Sequence, residues 1–324
     1  MILAGDVGGT KILLEAGDLR SGRWEPLMAR RYLIADFDHV CAVVERFMAD
    51  WEKVKPPRSR FTAAALGVAG PAQGNKVKMT NRGWSVDGEV LAQRFAIPRV
   101  RVVNDLAAAA GGLGALSSRD FITLQPGRAA PDEPRVVLGI GTGLGVAYLV
   151  PSGKNHQVVP GEGGHIGFSP SSELQAELWR ALAATRPRVE AEHVCSGIGI
   201  SNIHGFLRRG GDCPAGAPEL ADPAWISQNA MQGSDATCVS ALDLFAECLG
   251  NVAGDHALAV MARGGVYLAG GVIAKIAPSF NAARFRAAFC AKSLFSAQMM
   301  RIPVKLVRSE RLALLGAAHL AGSP

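Results

Sequence analysis

A carboxylate and an amide stand together where a predicted strand ends, at Asn104 and Asp105. The apolar run before them, Pro98 to Val103, favours a buried strand, and the alanines after them favour a helix. Ligands of open α/β sheets bind at the carboxyl ends of the strands, so both side chains could meet a ligand there. A second interpretation stays open, because Asn-Asp between a strand and a helix is also an ordinary turn with its N-cap.

Two glycine-rich turns could bind phosphate. One runs from Gly5 to Lys11 and the other from Gly139 to Gly145, each between two apolar runs. Both patterns predict a β-hairpin whose backbone N–H groups can approach an anion, and Thr10 and Lys11 add donors to the first. An ordinary glycine hairpin explains the first turn equally well. The repetition, however, suggests two similar halves that each offer donors to one polyphosphate.

Two further positions fit a nucleotide and its metal ion. Asp6, inside the first turn, is a candidate Mg²⁺ ligand, acting through water because that ion prefers few carboxylates and keeps its waters. Gly270 and Gly271 follow a predicted strand that starts at Val266. Small residues at such a place let a flat adenine ring lie against the backbone.

A second group of polar side chains fits a sugar. Glu162 and His165 lie among glycines, which leave the carboxylate and the imidazole free to meet a ligand, although a histidine is often purely structural. Glu192 adds a carboxylate before a predicted turn or helix start. Asn81, in a polar turn, could bind a sugar hydroxyl or serve its own turn.

The composition is that of a globular protein with ample core. The chain has 324 residues, 48% hydrophobic and 19% charged, and this length predicts two domains. The net charge is +6, but the basic residues are scattered, so we expect no nucleic-acid partner.

The six cysteines form no Cys-x-x-Cys pair, which suits a reducing compartment and argues against a structural zinc. Asp6 follows the first apolar residues too soon for a signal peptide, and no uninterrupted apolar stretch is long enough for a membrane span. We therefore expect a cytoplasmic protein.

Apolar spacing predicts the elements that position these residues. They are a helix over 37–54 with Asp36 or Asp38 as its cap, a strand over 61–68, a loop over 126–135, an irregular segment over 208–235, a buried helix around 242–252 that ends at 264–265, a strand over 302–307, and a last helix from about Ser309.

Taken in order, these motifs resemble those of bacterial glucokinases. The matching elements are Asp6-Val7-Gly8-Gly9-Thr10, Asn104-Asp105, Gly141-Thr142-Gly143-Leu144-Gly145, Gly161-Glu162-Gly163-Gly164-His165, Glu192 before Ser196-Gly197, and Leu268-Ala269-Gly270-Gly271. The resemblance spans nearly the whole chain, and the Gly-Glu-Gly-Gly-His element is its most specific part. It implies an α/β protein with the duplicated, ribonuclease H-like fold of the actin-like ATPases, in two domains with a cleft between them. The small domain would comprise residues 1–115 and 306–324, and the large domain residues 116–305.

The resemblance also implies an activity and a set of roles. Such an enzyme transfers the γ-phosphoryl group of ATP to the 6-hydroxyl of glucose with Mg²⁺, and a homodimer is common in the family. By position, Asp105 resembles the general base. The residues that resemble glucose ligands are Asn81, Asn104, Asp105, Glu162, His165 and Glu192. The residues that resemble nucleotide contacts are Gly8, Gly9, Thr10, Gly141, Thr142 and Gly143 at the phosphates and Gly270 and Gly271 at the adenosine, with Asp6 as the Mg²⁺ ligand.

Departures from the family pattern leave alternatives open. Lys11 stands where the family commonly has asparagine, and it would touch phosphate or face solvent. The cysteine-rich zinc motif of the related repressor–kinase group does not follow His165, so the zinc-free branch fits better. The rivals are a kinase for another hexose or an amino sugar, a sugar-sensing regulator, and a filament-forming ATPase. We expect no regulator, because the phosphate hairpin opens the chain where a DNA-binding module would precede it, and Glu162 and His165 have no purpose in a filament.

Overall fold

The computed structural model describes residues 1–79, 82–153, 155–210 and 221–322. The chain forms two compact units, one of Met1–Ser118 with Arg311–Pro324 and one of Arg119–Glu310. The strands are β1 (Ile2–Val7), β2 (Lys11–Arg20), β3 (Arg23–Leu33), β4 (Ala63–Val68), β5 (Ala72–Gln73), β6 (Lys76–Lys78), β7 (Ser85–Asp87), β8 (Val100–Asn104), β9 (Phe121–Gln125), β10 (Arg135–Ile140), β11 (Leu144–Ser152), β12 (Asn155–Gly161), β13 (Gly265–Ala269) and β14 (Val304–Val307). The α-helices are α1 (Val40–Glu52), α2 (Gly88–Phe95), α3 (Asp105–Gly112), α4 (Glu173–Ala183), α5 (Gly197–Arg208), α6 (Pro223–Gln232), α7 (Ala236–Val260), α8 (Gly271–Ile276), α9 (Ala282–Cys290), α10 (Ser296–Met299) and α11 (Leu312–Gly322).

The first unit is built on a five-stranded sheet with the order β3-β2-β1-β4-β8. β1, β2 and β3 are antiparallel, whereas β1, β4 and β8 run parallel. One face of the sheet buries the apolar side of α1, and the other packs against α11 through alanines such as Ala317 and Ala318. The parallel strands therefore bring the carboxyl ends of β1, β4 and β8 to one edge.

The second unit repeats this arrangement. Its six-stranded sheet has the order β12-β11-β10-β13-β14-β9, and β10 is antiparallel to β11 and parallel to β13. β11 and β12 are antiparallel, and β13 and β14 are parallel. The first five strands thus match those of the other sheet in order and direction. Both predicted glycine hairpins are confirmed, as β1–β2 and as β10–β11.

The sequence predictions were wrong about the cap of α1 and about the segment that contains α6. α1 begins after His39, whose Nδ1 accepts a hydrogen bond from the N–H of Ala42 at 3.1 Å, so neither Asp36 nor Asp38 is its cap. The segment predicted to be irregular contains α6, which starts at Pro223 and ends at Gly233 with a φ of 66°. Pro in the first turn and Gly after the last are the ordinary signals of a helix, and the surrounding Gly and Pro content masked them. Within that segment, residues 211–220 lie outside the described part of the chain.

α7 is long and apolar enough to cross a membrane by length and composition, although acidic residues interrupt its apolar sequence. Its most apolar window is 67% buried inside the protein. It packs against α5, α6 and α9 within the second unit. This burial is typical of the core helix of a globular unit.

Candidate active site

Asp6 and Asp105 lie close together at the carboxyl edge of the first sheet. Asp6 on β1 is in register with Gly67 on β4, which is in register with Val103 on β8. Asp105 follows β8 as the first residue of α3. A Cβ atom at position 67 would lie 3.4 Å from the Cα of Asp105 and 2.9 Å from the Cβ of Ala108. Glycine at this position therefore lets α3 approach the sheet and leaves no side chain on β4 between the two carboxylates.

The side chain of Asn104 is the N-cap of α3. Its Oδ1 accepts hydrogen bonds from the N–H groups of Leu106 at 2.9 Å and Ala107 at 3.0 Å. Its Nδ2 donates to the carbonyl of Gly70 at 3.0 Å. The turn-and-cap interpretation is thus confirmed for Asn104. The cap fixes the backbone that carries Asp105, whose own Oδ1 accepts from the N–H of Leu106 at 2.8 Å.

The carboxyl group of Asp6 has an altered acidity. Burial, and then the charge of Asp105, raise the pKa of Asp6 from 3.8 to about 7. Among the described residues, no hydrogen bond or ion pair compensates the Asp6 carboxylate. The carboxylate of Asp6 lies close enough to that of Asp105 to feel its charge, and Mg²⁺ prefers such oxygen ligands while it keeps several waters. The donor set therefore fits Mg²⁺.

We expect the stability of the ligand-free protein to depend on Asp6. Because its pKa in the folded protein lies above the ordinary value, folding favours the protonated form. The stability that the protonated Asp6 contributes to the folded protein is fully present below about pH 4 and is lost as the pH rises through about 7. Urea unfolding at about pH 5 and about pH 8 should show a smaller loss of stability in Asp6→Asn than in the wild type, by at most about 3 kcal/mol. The exposed Asp38→Asn is the matched control, and equal losses in the wild type and Asp6→Asn would contradict the shift.

The first glycine turn projects its polar residues into solvent. The N–H of Gly8 donates to the carbonyl of Lys11 at 3.0 Å and closes the turn. Thr10 and Lys11 are exposed, and Gly8 and Gly9 are half-buried. The turn thus leaves donors of Thr10 and Lys11 accessible to an anion.

The second glycine turn has the same length and is tied to α5. The N–H of Gly141 donates to the carbonyl of Gly143 at 2.9 Å, and the carbonyl of Gly141 accepts from the N–H of Gly197 at 2.9 Å. Oε2 of Glu192 accepts from the N–H of Leu144 at 2.8 Å. The predicted phosphate turn and the predicted sugar ligand Glu192 therefore form one hydrogen-bonded unit, with Thr142 exposed at its tip.

Gly270 and Gly271 lie where β13 meets α8, next to the end of β10. Gly270 has a φ of 113°, and a Cβ atom there would lie 2.4 Å from the carbonyl oxygen of Ile140. A Cβ atom at Gly271, by contrast, would meet no atom within 4 Å. The backbone at Gly271 thus has open space beside it.

Three carboxylates surround the imidazole of His165. Glu162 precedes the single 3-10 turn Gly163–His165, and its side chain is exposed. Nδ1 of His165 is 2.8 Å from Oε2 of Glu190, and 51% of the His165 side chain is exposed. The hydrogen bond that His165 donates to Glu190 is the main cause that raises the pKa of His165, and the charges of Glu192, Glu190 and Glu162 add to it. The structure thus brings Glu162, His165 and Glu192 together.

A glycine holds this turn against β11. A Cβ atom at Gly164 would lie 1.8 Å from the carbonyl oxygen of Leu144. Gly164 is buried, whereas Glu162 and His165 on either side are exposed. The close approach fixes the turn and points both polar residues outward from the sheet.

Sequence reasoning gave no role to Glu190. Its contact with His165 joins residues on separate turns, and no local spacing signals it. Of the other predicted ligands, Asn104 serves the α3 cap, and Asn81 lies outside the described residues.

We expect Glu190→Gln to lower the pKa of His165, because the amide carries no charge to favour the imidazolium. In the wild type the pKa of His165 is raised and that of Glu190 is lowered. The ion pair between them is therefore present while Glu190 is ionised and His165 is protonated, and it is lost as the pH rises through the raised pKa of His165. NMR titration of the imidazole protons measures this directly. Glu173→Gln, which removes an exposed ion pair with Arg180, is the control and should leave His165 unchanged. An unaltered His165 titration in Glu190→Gln would show that the pair does not form.

Comparison with known proteins identifies the family. The Glucokinase family model matches residues 3–323. A glucokinase of Nostoc sp. is 36% identical to the chain over 341 residues, which cover 99% of this chain and 98% of the relative. This chain belongs to the glucokinase family. The predicted family, and with it the prediction of a sugar kinase, is confirmed.

Solved structures agree with the family assignment. The crystal structure of a glucokinase from an Antarctic psychrotroph has a TM-score of 0.84 and 31% identity, and the match covers 99% of this chain and 98% of that one. A ROK family glucokinase from Streptomyces griseus, in complex with glucose and AMPPNP, has a TM-score of 0.66 and 20% identity, with 99% of both chains covered. The predicted α/β fold of the sugar kinases and actin-like ATPases is confirmed.

Proposed function

We propose that this member of the glucokinase family transfers the γ-phosphoryl group of ATP to the 6-hydroxyl of D-glucose. The observation that carries the proposal is the cluster of Glu162, His165 and Glu192 beside the turn of Gly141. A sugar offers several hydroxyls that each donate and accept a hydrogen bond, and carboxylates with an imidazole match such an array. A glycine turn within the same unit offers backbone donors to phosphate.

Asp105 is the proposed general base. Phosphoryl transfer needs little covalent help, since its transition state is loose and positioning dominates. The Asp105 carboxylate would accept a hydrogen bond from the 6-hydroxyl, orient that oxygen toward the phosphorus, and take its proton late in the transfer. The cap made by Asn104 supports this role because it holds the first turn of α3 in place.

The sugar would be bound by Glu162, His165 and Glu192 through its other hydroxyls. Glu190 would orient the His165 ring by holding Nδ1, which leaves Nε2 for the ligand. Asn104 keeps one amide hydrogen beyond its bond to Gly70, and it would offer this hydrogen to the sugar. Asn81 is proposed as a sugar ligand on the resemblance alone.

Each glycine turn is proposed to bind phosphate oxygens of a nucleotide. Gly8, Gly9, Thr10 and Lys11 would bind phosphate oxygens in one unit, and Gly141, Thr142 and Gly143 would do so in the other. The open backbone at Gly270 and Gly271 would accept the adenosine. ATP is supported as the donor by the AMPPNP bound to the Streptomyces griseus enzyme. Asp6 would hold Mg²⁺ through water, and the bound ion would neutralise charge on the phosphates.

One experiment tests the activity and its specificity together. ADP release is measured with ATP and a panel of glucose, mannose, fructose, galactose and glucosamine, with and without Mg²⁺. We expect Mg²⁺-dependent release that glucose stimulates most. Stronger stimulation by another sugar would favour the alternative of a different hexose or amino-sugar kinase, and no stimulation by any of them would contradict the proposal.

Other features of the protein are proposed on the family resemblance. We propose a cytoplasmic homodimer whose ligands are glucose and ATP, without a nucleic-acid or membrane partner. The division into a small domain of residues 1–115 and 306–324 and a large domain of residues 116–305 is kept as part of the same proposal.

A further inference from the structure

Three side chains with metal-binding atoms meet in the second unit, away from the residues described above. They are His204 on α5 and Asp235 and Cys238 at the start of α7, and their ligand atoms all lie within 4.8 Å of one another. His204 is 1% exposed and Cys238 is fully buried, whereas Asp235 is half-buried. Such a mixture of imidazole, carboxylate and thiol is not the composition of an ordinary apolar contact between helices.

The fold holds Asp235 and Cys238 in a fixed relation. Asp235 is the N-cap of α7, and its Oδ1 accepts hydrogen bonds from the N–H groups of Thr237 at 2.7 Å and Cys238 at 3.2 Å. Both backbone hydrogen bonds of the cap go to Oδ1, so the cap does not use Oδ2. His204 reaches the same place because α5 packs along α7.

The imidazole of His204 carries a buried polar atom without a partner. Its Nε2 is buried and has no hydrogen-bond partner among the described residues. The ring of Trp225 lies edge-on to that of His204, with 5.9 Å between the two centroids. A buried polar atom left without a hydrogen bond costs about 1 to 3 kcal/mol, so natural proteins seldom keep one without a ligand or another purpose.

We propose that His204, Asp235 and Cys238 bind one zinc-class divalent transition-metal ion, held by three protein ligands. Imidazole nitrogen, carboxylate oxygen and thiolate sulfur are the donors that Zn²⁺ takes in proteins, whereas Mg²⁺ and Ca²⁺ prefer oxygen alone. Binding releases the thiol proton of Cys238 to solvent as the sulfur–metal bond forms. Ser234 and Ala236 on either side of Asp235 are exposed, which gives the ion a route from solvent.

The ion would tie α5 to the start of α7. His204 lies on the same helix whose first residue, Gly197, supports the second glycine turn. The site is structural, and none of its three ligands has a role in the proposed reaction. Cysteine spacing in the sequence does not reveal this site, because only the fold brings His204 to Asp235 and Cys238.

Cobalt is the probe that tests the site. The full chain is stripped with a chelator and titrated with CoCl₂, because a Co²⁺–thiolate bond gives a sulfur-to-metal charge-transfer band in the near ultraviolet. We expect one equivalent of Co²⁺ to produce the band and Zn²⁺ to displace it. Zn²⁺ at about 100 times its dissociation constant should raise the thermal midpoint by roughly 5 °C. The thiolate band separates this site from any Co²⁺ held by Asp6.

The variants assign the ligands. Cys238→Ser should abolish the band, and His204→Gln and Asp235→Asn should each weaken binding at least about tenfold. Cys248→Ser is the matched control, because Cys248 is an equally buried thiol on α7 outside the cluster. If Cys238→Ser does not fold, Asp235→Asn carries the test, since its amide oxygen can still cap α7. No thiolate band in the wild type, or a band that survives in Cys238→Ser, would overturn the proposal.

Discussion

We expect Asp105→Ala to lower kcat by about 10²- to 10⁴-fold while the protein stays folded. The variant lacks the carboxylate that would orient the 6-hydroxyl and accept its proton. The fold should survive because the cap of α3 is made mainly by Asn104, whose Oδ1 binds two backbone N–H groups. Steady-state ADP release with saturating glucose and ATP measures the effect.

The control for this variant keeps the shape of the side chain. Asp105→Asn removes the charge and the basicity but preserves the volume, so it should lose a similar factor in kcat. Circular dichroism and the thermal midpoint report whether α3 is intact in both variants. A turnover in Asp105→Ala close to that of the wild type would contradict the assignment of Asp105 as the base.

We expect Glu162→Gln to raise KM for glucose by about 10- to 100-fold with a small change in KM for ATP. Hydrogen bonds to a charged group are worth about 1.5 to 3 kcal/mol net, and an amide accepts them more weakly than a carboxylate. The side chain of Glu162 is exposed on its turn and makes no hydrogen bond or ion pair to the described residues, so the substitution removes no contact that the fold needs.

The matched control is Glu177→Gln. Glu177 is an exposed carboxylate on α4 in the same unit, and its loss should leave both KM values unchanged. Equal glucose KM values for Glu162→Gln and the wild type would show that Glu162 is not a sugar ligand.

The features that follow from local sequence were predictable. Glycine turns between apolar runs predict hairpins because glycine permits the tight turn, and both hairpins are present. An apolar run that meets Asn104 predicts a strand and a helix start, and β8 and α3 follow in that order. Here one chemical property, the capping preference of Asn, decides the structure within a few residues.

Features that depend on strand order or distant contacts were not predictable. The shifted acidity of Asp6 needs β1, β4 and β8 side by side, with glycine at position 67. The pair of His165 and Glu190 likewise depends on two turns that meet only in the folded unit. α6 was missed for another reason, since Asp222 and Pro223 are sound helix signals within a segment whose Gly and Pro content favours irregular structure.

Phosphorus NMR of the product tests the central claim most directly. The full chain is incubated with glucose, ATP and Mg²⁺, and the phosphomonoester signal is recorded without proton decoupling. Transfer to the 6-hydroxyl predicts a triplet, because the phosphate is coupled to the two protons of a CH₂ group. A doublet would place the phosphate on a ring position and contradict the proposed geometry at Asp105, and the absence of any glucose-dependent phosphomonoester would contradict the proposed activity.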